Sequence, residues 1–101
     1  MFIYNVTVQV DKDIAKQWLN WLREEHIPEL MSTGCFTHCQ VVKLLDVDES
    51  EAITYAIQYY SASRELIDKY VNDYAADIRN KTVAKWSDRF VAFRTVMEVI
   101  N

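Results

Sequence analysis

The chain has 101 residues, half of them apolar, with a single Gly and a single Pro. That length suits one domain with its own core, and the composition excludes collagen-like repeats, Gly-rich phosphate loops and Pro-rich linkers. Eleven basic residues against fifteen acidic ones leave a net charge of −4, and the cations are scattered along the chain, so no nucleic acid and no membrane surface is expected as a partner.

Residues 2–10 alternate. Phe2, Tyr4, Val6, Val8 and Val10 share one face, and Ile3, Asn5, Thr7 and Gln9 share the other, which is the pattern of a strand with one dry side. The segment lacks a basic head and a continuous apolar stretch, so it does not read as a signal peptide, and a cytoplasmic location with free thiols is expected. Asp11 or Asp13 is placed to cap a following helix. Apolar residues then recur with helical period at Ile14, Trp18, Leu19, Trp21, Leu22, Ile27, Leu30 and Met31. Pro28 interrupts that pattern: it has no N–H to give to residue 24 and crowds the preceding turn, so a kink is expected near His26–Ile27. Thr33 and Gly34 end the helix.

Residues 35–45 read as a second strand with Phe36, His38, Gln40, Val42 and Leu44 on one side. Extended backbone would hold Cys35 and Cys39 about 13 Å apart, too far for a disulfide, and would turn His38 to the opposite face. The group therefore reads as ordinary edge-strand residues, with no metal site. An acidic hairpin loop over 46–51 leads to a third strand, residues 52–60. Its Ile53, Tyr55, Ile57 and Tyr59 face one way, and Thr54, Ala56, Gln58 and Tyr60 the other. Ser61 or Ser63 can cap a second helix, whose stripe is Leu66, Ile67, Tyr70, Val71, Tyr74, Ala75 and Ile78. A bend is expected at Asn80, with helix resuming through 82–86. Residues 90–100 form the last strand.

Strand, helix, strand, strand, helix, strand is the ferredoxin-like βαββαβ order, an α+β fold with two helices on one face of a four-stranded antiparallel sheet. The other face would carry Ile3, Asn5, Thr7, Ala56, Gln58 and Tyr60 with part of the last strand. It is half apolar and nothing else in the chain can cover it. A second copy packed sheet to sheet under two-fold symmetry covers it economically, so a homodimer is expected.

Several segments together carry a family resemblance: Asn5-Val6-Thr7-Val8, Trp18-x-x-Trp21, His26-Ile27-Pro28-Glu29, Gly34-Cys35-Phe36, Tyr55-Ala56-Ile57-Gln58-Tyr59 and Phe90-Val91-Ala92-Phe93-Arg94-Thr95. As a set, in order and over nearly the whole chain, they resemble the DUF4286 family, a bacterial family without an established activity. That family is similar to the dimeric α/β-barrel superfamily, whose members include cofactor-free mono-oxygenases, isomerases, cyclases, haem-degrading enzymes and ligand-sensing domains. Pockets in that superfamily usually lie between the sheet and its own helices, and some members place a His of the first helix there. The resemblance thus implies a pocket beside Trp18 and His26. The chain matches no one member's full catalytic set, which leaves the chemistry open.

His26 is the candidate catalytic residue. It lies on or beside the apolar stripe, where an imidazole can act as a general base; alternatively it closes a helix end, favoured by the helix dipole. Trp18 and Trp21, three residues apart, cannot both point at the sheet centre, so one is free to line a cavity or a contact. Tyr4, Tyr55 and Tyr59 project from central strands on the helix side and would suit a planar aromatic or small carbonyl ligand, or plain packing. Arg94 stands in an otherwise apolar strand and needs a carboxylate, an interface or an anion. Asn5, Thr7 and Gln58 are expected to bond across strands. Glu24, Glu25 and Glu29 surround His26 in sequence, and one could raise its pKa. The chain has no phosphate loop, metal-spaced His pair or nucleophile elbow, and no cofactor is expected. The expected function is binding of a small molecule under the first helix. The alternatives are a cofactor-independent enzyme of mono-oxygenase, isomerase or cyclase type with His26 as base, and an interaction module without a ligand.

Overall fold

A computed structural model describes all residues from Met1 to Asn101. Strand β1 (Phe2–Asp11) leads through a 3-10 turn (Lys12–Ile14) into helix α1 (Ala15–Trp21), a five-residue π turn (Leu22–His26) and helix α2 (Ile27–Met31). Then come β2 (His38–Lys43), β3 (Ala52–Ser61), helices α3 (Arg64–Asp73) and α4 (Ala75–Trp86), and β4 (Phe90–Glu98). The strands form one antiparallel sheet in the order β2-β3-β1-β4, with the helices on one face. This is the ferredoxin-like α+β fold. No helix is long and apolar enough to cross a membrane.

Register fixes what each face carries. Tyr4 lies opposite Tyr59 and Val96, Val6 opposite Ile57 and Arg94, and Val8 opposite Tyr55 and Ala92. Since side chains alternate along a strand, all of these sit on the helix side. The other face carries Asn5, Thr7, Gln58, Val91, Phe93 and Thr95, and no element of the chain lies over it. Phe93 is 60% exposed and Val91 52%. Asn5 donates to Thr7 Oγ1 along its own strand at 3.0 Å and not across to Gln58 as expected, because residues two apart on a strand share a face. Its Oδ1 is buried without a partner.

The first helical region is kinked as Pro28 requires, but the distortion starts earlier than His26. Leu22 to His26 wind as a π turn closed by the Ile27 N–H donating to the Leu22 carbonyl. One extra residue enters the helix just before the proline, so Pro28 sits at the start of α2, where its missing N–H costs nothing. Gly34 then takes φ +78°, Thr33 Oγ1 donates to the Leu30 carbonyl at 2.7 Å, and the helix ends.

Four local expectations need correction. Asp11 and Asp13 cap nothing; both accept from the Arg89 guanidinium at the foot of β4, a charged partner that out-competes a backbone N–H. The second strand starts at His38, not Cys35, and Phe36 is buried in the helix-side core with Tyr4, Tyr59 and Tyr70. Phe36 therefore does not share a face with His38, which stacks on Tyr60. The break in the second helical region falls at Tyr74 and not at Asn80. Exposed Asn80 meets nothing that would bend the helix, whereas the half-buried Tyr74 ring stacks on Tyr70 and the break lets Ala75 and Ile78 reach the core. The N-cap of α3 is Ser63, whose Oγ accepts from the Leu66 N–H at 3.2 Å, while buried Ser61 donates to the carbonyls of Cys35 and Ser63.

Candidate functional site

Two aromatic clusters fill the space between sheet and helices. One is Tyr4, Phe36, Tyr59 and Tyr70, with Tyr4 and Tyr70 ring centres 5.4 Å apart. The other gathers Trp18, Trp21, His26, Tyr55 and Trp86. Between them lies a cavity of about 50 Å³, room for a few water molecules. Fourteen of its eighteen lining residues are apolar or aromatic; the other four are His26, Arg79, Thr82 and Arg94. Outside it, an open groove of about 570 Å³ is lined by Trp21, Glu25, His26, Pro28, Glu29, Lys81 and Lys85. Trp21 and His26 belong to both and form the wall between them.

Of the residues singled out in the sequence, Tyr4, Trp18, Trp21, His26, Tyr59 and Arg94 line the inner cavity. Tyr55 does not; it stacks against Trp18 at 5.6 Å with planes 18° apart and so supports the wall. Trp18 is 2% exposed and points inward, while Trp21 is half-buried at the rim. The indole N–H groups of Trp18 and Trp86 are buried without acceptors.

The His26 imidazole stacks on the Trp21 indole, ring centres 4.7 Å apart and planes at 28°. Burial lowers its pKa to about 4; Glu29 pulls upward, Arg94 pushes further down, and burial wins. Of the three acids around His26 in sequence, Glu29 is the one that raises its pKa, but its carboxylate is held by Lys81 Nζ at 2.5 Å. At neutral pH the ring is uncharged, and a group so weakly basic is poorly matched to removing a proton near pH 7.

Arg94 was expected to be a buried cation in need of a partner. It is exposed, because β4 is an edge strand, and it lines the cavity, close enough for its charge to act on His26, without a carboxylate within ion-pair distance. Arg79 of α4 lines the same cavity and is likewise unpaired. Both guanidiniums act on the Tyr70 hydroxyl, whose pKa is nevertheless raised, chiefly by burial. Sequence reasoning missed Arg79, Thr82 and Tyr70 as lining residues. Tyr70 was hidden in the core stripe, and Arg79, next to Ile78 on a charged helix, carries no signal of its own.

Comparison with solved structures shows the same fold over the full chain. A dimeric ferredoxin-like protein from an uncultured marine organism is 12% identical, with 100% of this chain and 96% of that one covered and a TM-score of 0.65. HapK from Hahella chejuensis is 12% identical, with 100% and 94% covered and a TM-score of 0.69. A Bacillus cereus protein carrying the provisional name antibiotic biosynthesis monooxygenase is 14% identical, with 99% and 93% covered and a TM-score of 0.66. No curated protein matches the chain. The model of the domain of unknown function DUF4286 matches residues 1–100, and the chain belongs to that family.

Proposed function

We infer that this chain is a single-domain, cytoplasmic homodimer that binds a small molecule against the Trp21–His26 wall. The observation that carries the reading is the position of His26, neutral and stacked on Trp21 between an apolar inner cavity and a wider outer groove. The enclosed space alone is below the roughly 300 Å³ of an ordinary ligand pocket, so a ligand enters from the groove and displaces the wall inward or outward. The wall is suited to that: the π turn ends at His26, and such turns are less regular than α-helix and frequent at functional sites.

The dimer completes the reading. Phe93 and Val91 on the uncovered sheet face favour a second copy there, and the marine structural neighbour is described as dimeric. Binding is preferred to catalysis because the low pKa of His26 suits a neutral wall or acceptor better than a base, and its stacking partner is Trp21 and not a Tyr hydroxyl. The name of the Bacillus cereus neighbour keeps an oxygenase-type reaction as the second reading.

A fragment screen read by tryptophan fluorescence tests the proposal. Apolar fragments are expected to change the emission of the wild type and to lose that effect in Ala92→Leu, which fills the inner cavity from β4 while leaving the groove untouched. Fragments that act equally on both proteins would overturn it.

A further inference from the structure

The charges around the inner cavity are one-sided. Its eighteen lining residues include two guanidiniums, Arg79 and Arg94, and no carboxylate. The acids nearby lie outside the lining: Glu25 and Glu29 line the outer groove, and Glu29, the one whose charge is felt by His26 and Tyr70, is engaged by Lys81. Asp11 and Asp13 are engaged by Arg89. Thr82, which lines the cavity with His26 and the hydroxyl-bearing Tyr4, Tyr59 and Tyr70, donates its hydroxyl proton to the Ile78 carbonyl at 3.1 Å. Two unpaired cations on an otherwise apolar wall run against the net charge of −4 of the chain, so they are not a by-product of a basic surface.

They also come from different elements. Arg94 stands on the edge strand β4, opposite Val6, and Arg79 stands on α4, one residue after buried Ile78. Packing of α4 over the sheet brings both to one cavity. A guanidinium presents a planar fork of donors that matches a carboxylate, and two of them approached from strand and helix can hold one anionic group at the end of an apolar body.

Resting on the reading of this cavity as a ligand site, we propose that its ligand is an amphipathic monocarboxylate, with an apolar, ring-sized body against the aromatic wall and its carboxylate held by Arg94 and Arg79. The aromatic lining accounts for the body and the two arginines without carboxylate partners for the head. A dianion or a phosphoester is less well matched, because the lining offers no further free cation.

The test compares phenylacetate, the neutral 2-phenylacetamide and acetate, followed through the indole N–H signals of Trp18, Trp21 and Trp86 in 15N-labelled protein. Phenylacetate is expected to shift them and to bind about tenfold more tightly than the amide, as loss of a charge-assisted contact implies; acetate, without the body, is expected to leave them in place. Arg94→Gln and Arg79→Gln change exposed side chains and are expected to keep the fold by circular dichroism while bringing the acid down to the affinity of the amide; Arg94→Lys restores part of the difference. Equal binding of acid and amide to the wild type would overturn the carboxylate assignment and leave the pocket standing. Shifts by acetate equal to those by phenylacetate would overturn the amphipathic body. Failure of both phenyl compounds to shift any indole would overturn the assignment and the pocket together.

Discussion

His26 stacks on Trp21 with 4.7 Å between ring centres and planes 28° apart, and that contact joins the π turn of the first helical region to the aromatic interior. The imidazole is held uncharged by burial among apolar groups, so its protonation is coupled to folding. The groups that face it are Glu29 on its own helix and Arg94 across on β4, with Arg79, Lys81 and Lys85 on α4 and Glu25 along the cavity and groove.

The first prediction concerns that coupling. The pKa of His26 lies near 4 in the folded state, against about 6.5 unfolded. Between these values the unfolded chain binds the proton and the folded chain does not, so stability is complete above pH 6.5 and falls as the pH drops toward 4. The loss attributable to His26 is about 3 kcal/mol at most. Urea unfolding of the wild type and His26→Gln at pH 7 and pH 4.5 measures it: the wild type should lose more stability than the variant over that interval. An equal loss in both would assign the pH dependence to other groups.

A second prediction addresses assembly. Phe93 is 60% exposed on the uncovered sheet face, so Phe93→Glu removes little from the core of one chain but places a charge in the proposed contact. Sedimentation equilibrium should give twice the 11.9 kDa chain mass for the wild type and a folded single chain for the variant. A wild type that sediments as one chain contradicts the dimer.

A third prediction separates the two helix starts. Ser63→Ala removes a true cap from α3 and should cost about 1 kcal/mol. Asp13→Asn acts through Arg89 and not through a cap, so its smaller effect on the melting temperature should fade as salt is raised. Thermal melts at low and high salt distinguish the two: salt sensitivity is expected for Asp13 and not for Ser63.

The fourth concerns the roof of the cavity. Leu30 is 1% exposed and lies in the lining. Leu30→Ala should cost about 2–5 kcal/mol, and the enlarged space should admit apolar fragments more readily. Denaturation in urea with and without a saturating fragment tests it: a fragment that restores more stability to the variant than to the wild type is the expected result.

The strand faces were legible because period-two alternation survives in β1 and β3, where Tyr4 and Tyr59, read as same-face residues, lie opposite each other. Pro28 announced the kink, since a missing N–H is visible in any sequence. Its resolution as a π turn was not, because no residue type within Leu22–His26 marks where the extra residue enters. The same limit applies to Arg94. Its apolar neighbours suggested burial, yet exposure is set by its strand being at the edge, a property of topology. Arg79 had no local signature, and only the packing of α4 against the cavity gives it a role. Tyr55 was placed on the correct face but one layer behind the wall, a distinction that alternation cannot make.

A crystal structure of the protein grown with a saturating apolar carboxylate shows whether the Trp21–His26 wall receives a small ligand. Electron density for the ligand is expected in van der Waals contact with both rings, extending from the groove into the inner cavity. Density confined to the uncovered sheet face, or an unchanged cavity with no ligand at all, would contradict ligand binding at this wall.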